Sequence, residues 1–288
     1  MNQSLNKSPR RVFKDNILQA KLEKDGYVIL EIFNKEEIDF LKKIFKENKP
    51  TESFEGFYTS HWVKSNEYRY KIDQLLRPFL TKKLRDLFEN YKMMYAYFMV
   101  KQPGDNSIFH AHQDWTQVDE NNYTGITFWA PLIDTNIKNG SFHIVKNSHK
   151  KEPIIRGSYI PSPFGELCDF LETQIAQPVN MKAGQGLFFD QRLWHFSPPN
   201  QSKENRIAVG MVQIPEEAKL IHYYNRNGLD EVELFEGDDN MLLDFCFGDE
   251  PKNKNLKFLK NVKVELPIIT KEDFKTPSFL EKTKKFFS

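Results

Sequence analysis

Residues 109–117 read FHAHQDWTQ, with His110, His112 and Asp114 at alternate positions. In an extended strand, side chains two apart point to the same face, so these three would crowd one surface and leave Phe109, Ala111 and Gln113 on the other. A lone histidine is most simply a hydrogen-bonded structural residue. A His-x-Asp pair on one strand is different, because it offers two metal ligands on one face at a single side-chain repeat. Two imidazoles and one carboxylate on one triangular face, with positions left open, describe a non-haem iron(II) centre.

A third ligand must come from elsewhere in the chain, which has seven histidines. His195 stands out in GQGLFFDQRLWHFSPPNQSKENRIAVGMV, just after one strand-like run and before another. Eleven residues later Arg206 opens an otherwise apolar strand. A buried guanidinium is costly unless paired. No acid follows within RIAVGMV, so an anionic ligand is the expected partner, held in the two-bonded fork that arginine offers a carboxylate.

The elements that must position these groups fall into zones. Residues 1–15 are expected to be a loose tail. Residues 16–92 read as a mainly helical flank. In NKEEIDFLKKIFKEN, Asn34 and Glu37 form a looser capping box, and Ile38, Leu41, Ile44 and Phe45 make one helical stripe. Pro78, in QLLRPFLTKKLRDLFENY, is expected to start or kink a helix. FEGFYTSHWVKSNEYRY has no period and reads as a loop able to cover a site. From 93 to 214 the pattern changes to short aromatic and β-branched runs (MYAYFMVK, GITFWAPL, SFHIVK, GLFFD, RIAVGMVQI) separated by turn residues. Many short strands without alternating helices predict an antiparallel sandwich or barrel. Residues 215–288 form a lysine-rich C-terminal extension, and the whole reads as a single domain of 288 residues.

Composition narrows the setting. The 41 Lys and Arg balance 40 Asp and Glu, which excludes a global field for nucleic acid or an anionic membrane. With 39% hydrophobic and 28% charged residues, the chain is globular rather than disordered. Cys168 and Cys246 match no zinc or redox spacing and are expected to be reduced thiols. The polar N-terminus MNQSLNKSPRRVFKDN has no apolar signal region, and no run approaches the roughly 18 apolar residues of a membrane span. A cytoplasmic setting is expected.

The ordered set of HQD, TFWAPLIDTNIKNGSFHIVKNSHK and a distal His with Arg eleven on resembles the phytanoyl-CoA dioxygenase family of Fe(II)- and 2-oxoglutarate-dependent oxygenases. The likeness begins at LEKDGYVILEIFNKEEIDFL and covers roughly residues 20–215. It implies a double-stranded β-helix, a cupin-like jelly roll with flanking helices. It also implies His112, Asp114 and His195 as iron ligands and Arg206 as the anchor of 2-oxoglutarate. Further cosubstrate contacts implied are Ser197, Trp129, Thr127 and Tyr97. His110 would lie in the substrate pocket, one repeat beyond the ligand pair.

The resemblance further implies that 2-oxoglutarate and dioxygen react at the iron to give succinate, carbon dioxide and an oxidant directed at one substrate C–H. Related halogenases replace the carboxylate ligand by a small residue. Asp114 is an acid, so hydroxylation is the default expectation, with desaturation, epimerisation or cyclisation as other uses of the same oxidant. Nothing resembles a phosphate-cradling glycine loop for coenzyme A; KAGQGLFFD reads as a turn into a strand. The loop residues Tyr58, His61, Trp62, Lys64 and Arg69, with Trp115 and Arg156, suggest a small polar substrate, for instance an amino acid or a secondary-metabolite intermediate. The alternatives of a different kind are a non-catalytic jelly-roll sensor and a metal-dependent cupin, which would not need Arg206.

Overall fold

The computed structural model describes residues 10–151, 153–246, 248–251 and 256–274. Three helices come early, each started by a side chain that satisfies otherwise orphaned backbone N–H groups. Asp15 caps α1 (Asn16–Asp25), Asn34 and Glu37 close a complete capping box on α2 (Lys35–Glu47), and Ser65 caps α3 (Asn66–Leu84). Gly26 ends α1 at φ 82°, a conformation that glycine adopts without steric cost. Pro78 stands inside α3 rather than starting it. Arg10 to Asp15, expected to be loose, are anchored: Phe13 is buried and bridges to Phe88, and Arg10 pairs with Glu217.

The described residues contain thirteen strands: β1 (Tyr27–Glu31), β2 (Phe57–Thr59), β3 (Tyr91–Lys101), β4 (Phe109–His112), β5 (Ile126–Pro131), β6 (Phe142–Ile144), β7 (Gln177–Val179), β8 (Gln185–Asp190), β9 (His195–Ser197), β10 (Arg206–Pro215), β11 (Leu220–Tyr224), β12 (Val232–Gly237) and β13 (Lys257–Val262). They form a six-stranded sheet in the order β1-β8-β5-β10-β3-β2, a four-stranded sheet β4-β9-β6-β7 and a three-stranded sheet β11-β12-β13. Neighbouring strands within these sheets pair antiparallel. The first two sheets are the halves of a jelly roll. The flank expected to be helical therefore also supplies β1 and β2 to the large sheet, and the expected loop at 54–70 contains β2 and the start of α3.

Strand alternation divides the large sheet into two faces. Phe98, Val100, Phe128, Ala130, Phe188 and Val209 belong to the core shared with Leu41, Phe45, Leu76 and Leu80 of α2 and α3. The opposite parity gives Thr127, Trp129, Arg206, Ala208 and Gly210, with Tyr97, Met99 and Lys101 paired across from them on β3. That second face looks toward the small sheet, and the chemistry-bearing residues lie between the two.

Candidate metal and cosubstrate site

His112 ends β4 and is paired across the ladder with His195, the first residue of β9. Their rings stand 4.2 Å apart between centroids. Each Nδ1 donates to a backbone carbonyl, His112 to His110 at 2.7 Å and His195 to Leu193 at 2.9 Å. These bonds fix the tautomer and leave both Nε2 atoms as free lone pairs. Burial, joined by the neighbouring His195, pushes the His112 pKa down to about 3, and burial also lowers that of His195, so both rings are neutral. Neutral imidazole is the form that binds a metal.

Asp114 lies two residues beyond the end of β4, where no ladder bond fixes it. Thr127 on β5 donates to its Oδ2 at 2.6 Å, and its Oδ1 is 3.8 Å from His195 Nε2. One donor atom from each of His112, Asp114 and His195 lies within 4.8 Å of the others. The donor set, the tautomers and the spacing all fit a divalent ion held on one face.

Arg206 faces the same cavity. It is 2% exposed, donates through Nη1 to the Gly140 carbonyl, and lies over the Trp129 ring at 5.3 Å. Its Nε is buried without a partner, and among the described residues no carboxylate pairs with it. Burial alone lowers its pKa to about 9. A guanidinium left this way is a receptor for an anion: a carboxylate in the cavity would supply the missing acceptors. Ser197, Trp129, Phe142 and Phe189 line the space between Arg206 and the metal ligands.

Beside Arg206 lies a buried lysine. Lys101, opposite Arg206 in register, directs its Nζ to the carbonyls of Ser107, Ser197 at 3.1 Å and Pro198 at 2.9 Å. Burial and the nearby Arg206 push its pKa down to about 6. From the sequence it is the first alternative to Arg206 as a cation for the cosubstrate; its pairing opposite Arg206 puts it next to that arm.

The other expected site residues separate into two groups. Thr127 and Trp129 line the cavity, Thr127 as the partner of Asp114. Tyr97 shares their sheet face, but its ring lies across Gly210, where a Cβ would stand 2.5 Å from it, and stacks on Tyr95. Met99, one repeat along, takes the lining place instead. His110 is exposed and meets Glu172 at 3.1 Å, away from the metal ligands. The register of β4 against β9 shifts between Phe109 and His112, so simple alternation fails there.

Among the loop residues, Tyr58 turns into the helical core and stacks on Phe54, because β2 alternation sends Phe57 to the cavity instead. Arg69 is 2% exposed and its guanidinium is committed to the carbonyls of Val63, Lys64, Leu243 and Asp244 and to Asn66. Arg156 is equally committed, to Glu120, Ile154 and the backbone of Asp114. Neither guanidinium has donors to spare for a substrate. Lys64 is exposed, and Trp115 lies 5.1 Å from His222 between centroids. His61 hydrogen-bonds Thr59 and packs 4.8 Å from Tyr97, with its pKa pushed down to about 3 chiefly by burial. Trp62, half-buried, meets Phe57 and Phe109 at the rim, where Phe109 lies 4.2 Å from His112. Sequence reasoning missed Phe57, Met99, Phe142 and Phe189; as aromatic or apolar strand residues they carry no local sign of a site.

A jelly roll that sets two neutral histidines and a carboxylate beside a buried arginine with no carboxylate partner has the donor set of a non-haem metal centre with an anion-binding arm. The family model for phytanoyl-CoA dioxygenase matches residues 22–208, and the chain belongs to that family. Its members are Fe(II)- and 2-oxoglutarate-dependent oxygenases, and iron and 2-oxoglutarate are the cofactors that membership assigns. Solved structures share the fold. The epimerase SnoN from nogalamycin biosynthesis is 16% identical with a TM-score of 0.52, over 88% of this chain and 95% of that one. The carbocyclase SnoK from the same biosynthesis is 17% identical with a TM-score of 0.51, over 72% and 86%. HygX from Streptomyces hygroscopicus, solved with nickel, 2-oxoglutarate and hygromycin B, is 12% identical with a TM-score of 0.51, over 70% and 88%. No curated protein matches the chain. Among the described residues, no helix is long and apolar enough to cross a membrane.

Proposed function

We propose that this protein uses iron(II), 2-oxoglutarate and dioxygen to hydroxylate an unactivated C–H bond of a small molecule. The observation that carries the reading is the shared cavity: the His112, Asp114 and His195 donors open onto the space that Arg206 faces without a carboxylate partner. Bound there, iron with 2-oxoglutarate supplies the oxidative chemistry, giving succinate and carbon dioxide as one oxygen atom enters the substrate. The protein's own residues bind and orient. His112, Asp114 and His195 would hold the metal. Arg206, with Ser197 beside it, takes the far carboxylate of 2-oxoglutarate, and Trp129, Phe142 and Phe189 keep water from that arm. Asp114 retains the anionic ligand that makes hydroxylation the default outcome.

The substrate side is more apolar than loop composition suggests. With Arg69 and Arg156 engaged in structure, the groups at the rim near His112 are the rings of Phe57, Trp62 and Phe109. They favour a molecule that presents an apolar or flat face to the metal. The test is a screen for substrate-dependent succinate release and oxygen uptake, with product mass read for each active compound. A mass gain of one oxygen supports hydroxylation; an unchanged mass or a loss of two hydrogens assigns epimerisation or desaturation and cyclisation. No turnover with any compound that binds the iron and 2-oxoglutarate form would replace the enzyme by a jelly-roll sensor.

A further inference from the structure

Asp114 poses a positioning problem. β4 stops at His112, so the carboxylate ligand sits on a connection rather than in a ladder. A side chain on such a connection holds a metal only if its backbone is fixed from outside. Thr127 fixes one carboxylate oxygen, but the main chain needs its own anchor.

That anchor is Arg156, 42 residues further on, whose Nε donates to the Asp114 carbonyl at 2.7 Å. The rest of the guanidinium is locked. Glu120 accepts from both terminal nitrogens, at 2.6 and 2.7 Å, and the Ile154 carbonyl accepts at 2.6 Å. Both members of the ion pair are buried, with side chains 10% and 3% exposed. A planar fork held on one edge by a two-bonded carboxylate can present its Nε–H in only one direction. The backbones of Thr116 and Arg156 also meet, the Thr116 N–H donating to the Arg156 carbonyl at 3.2 Å.

The same connection is braced by residues beyond the family match, which ends at 208. Ile221 of β11 donates to the Gln117 carbonyl at 2.9 Å, and Ser158 donates to Tyr223 at 3.0 Å. Gly157 lets β11 come close: a Cβ there would stand 2.1 Å from the Tyr223 carbonyl oxygen. The segments 114–120 and 154–158 are thus clamped together and to the C-terminal sheet.

We propose that Arg156, oriented by Glu120, is the positioning residue for the carboxylate ligand of the metal, and that the C-terminal sheet serves as its brace. The inference rests on the reading of His112, Asp114 and His195 as metal ligands. Removing only one partner would bury a lone charge and cost stability for an unrelated reason. The first variant is therefore the double replacement Arg156→Met/Glu120→Met, and the second is Arg156→Lys, which keeps the charge opposite Glu120 and removes the Nε–H that holds the Asp114 carbonyl. The measurement is anaerobic Fe(II) affinity by calorimetry, alongside the melting temperature of each metal-free protein.

The expected result is a loss of about tenfold or more in metal affinity in the double variant, the range found when partners of metal ligands are removed. Arg156→Lys should lose affinity in the same direction. A residue with a merely structural role would lower the metal-free melting temperature and leave the affinity of the folded protein unchanged. Unchanged affinity in the double variant, or in Arg156→Lys should the double variant not fold, overturns the proposal. A wild-type protein that binds no Fe(II) would instead overturn the metal reading itself.

Discussion

At the scale of single residues, the site depends on which atoms are already spoken for. His112 and His195 spend Nδ1 on carbonyls and so can give only Nε2, while Asp114 spends Oδ2 on Thr127. Arg69 and Arg156, which by type alone suit a polar substrate, have their donors consumed inside the protein. Arg206 does not. This inventory was partly legible in the sequence: a His-x-Asp pair and an arginine without a nearby acid are unusual in strands. Glu120 and the Asp114 carbonyl, which Arg156 bonds, are 36 and 42 residues away, and no local pattern announces them. Thr127→Val keeps shape and removes the hydroxyl that fixes Asp114. We expect iron affinity to fall about tenfold with the fold retained. Calorimetry with Fe(II) checks this; equal affinity would mean that Asp114 needs no support from β5.

At the scale of elements, periodicity read correctly on α2 and on the longer strands. The stripe on α2 packs into the core, and the alternation of β5 and β10 puts Arg206, Thr127 and Trp129 on the face toward the small sheet. Short, irregular elements defeated it. β4 is four residues long with a register shift, so His110 turns to solvent, and β2 is too short to carry a period. Lys101 belongs to this scale because it ties the end of β3 to the residue after β9 and to the approach to β4. Its folded pKa of about 6 lies far below that of a free lysine, so between these values the unfolded chain holds a proton that the folded protein does not. Its contribution to stability therefore rises with pH across that window, by at most about 1.4 kcal/mol per unit. Lys101→Met should remove this slope. In urea unfolding of ligand-free protein, the stability of wild type relative to the variant should increase from pH 7 to pH 9; a constant difference would show that Lys101 is not depressed.

At the scale of the whole molecule, the centre exists only where the two jelly-roll sheets face each other. The small sheet brings His112 and His195, the large sheet brings Thr127, Trp129 and Arg206, and Asp114 lies on the chain between β4 and β5. An antiparallel sandwich or barrel followed from many short strands without intervening helices, and the jelly roll from the family resemblance; the separate three-stranded sheet did not follow, because β13 lies in a lysine-rich run and β11 (LIHYY) and β12 (VELFEG) are short runs beyond the strand-rich segment. The stretch FLEKTKKFF lies outside the described residues. The central claim is that the metal ligands and Arg206 act on one molecule, 2-oxoglutarate. It is tested most directly by anaerobic calorimetry of 2-oxoglutarate into the Fe(II) form of wild type and Arg206→Ala. Wild type should bind 2-oxoglutarate only when iron is present, and the variant should keep its iron affinity while losing about 2–5 kcal/mol of 2-oxoglutarate binding. Equal 2-oxoglutarate affinity in the two proteins, or binding indifferent to iron, would contradict it.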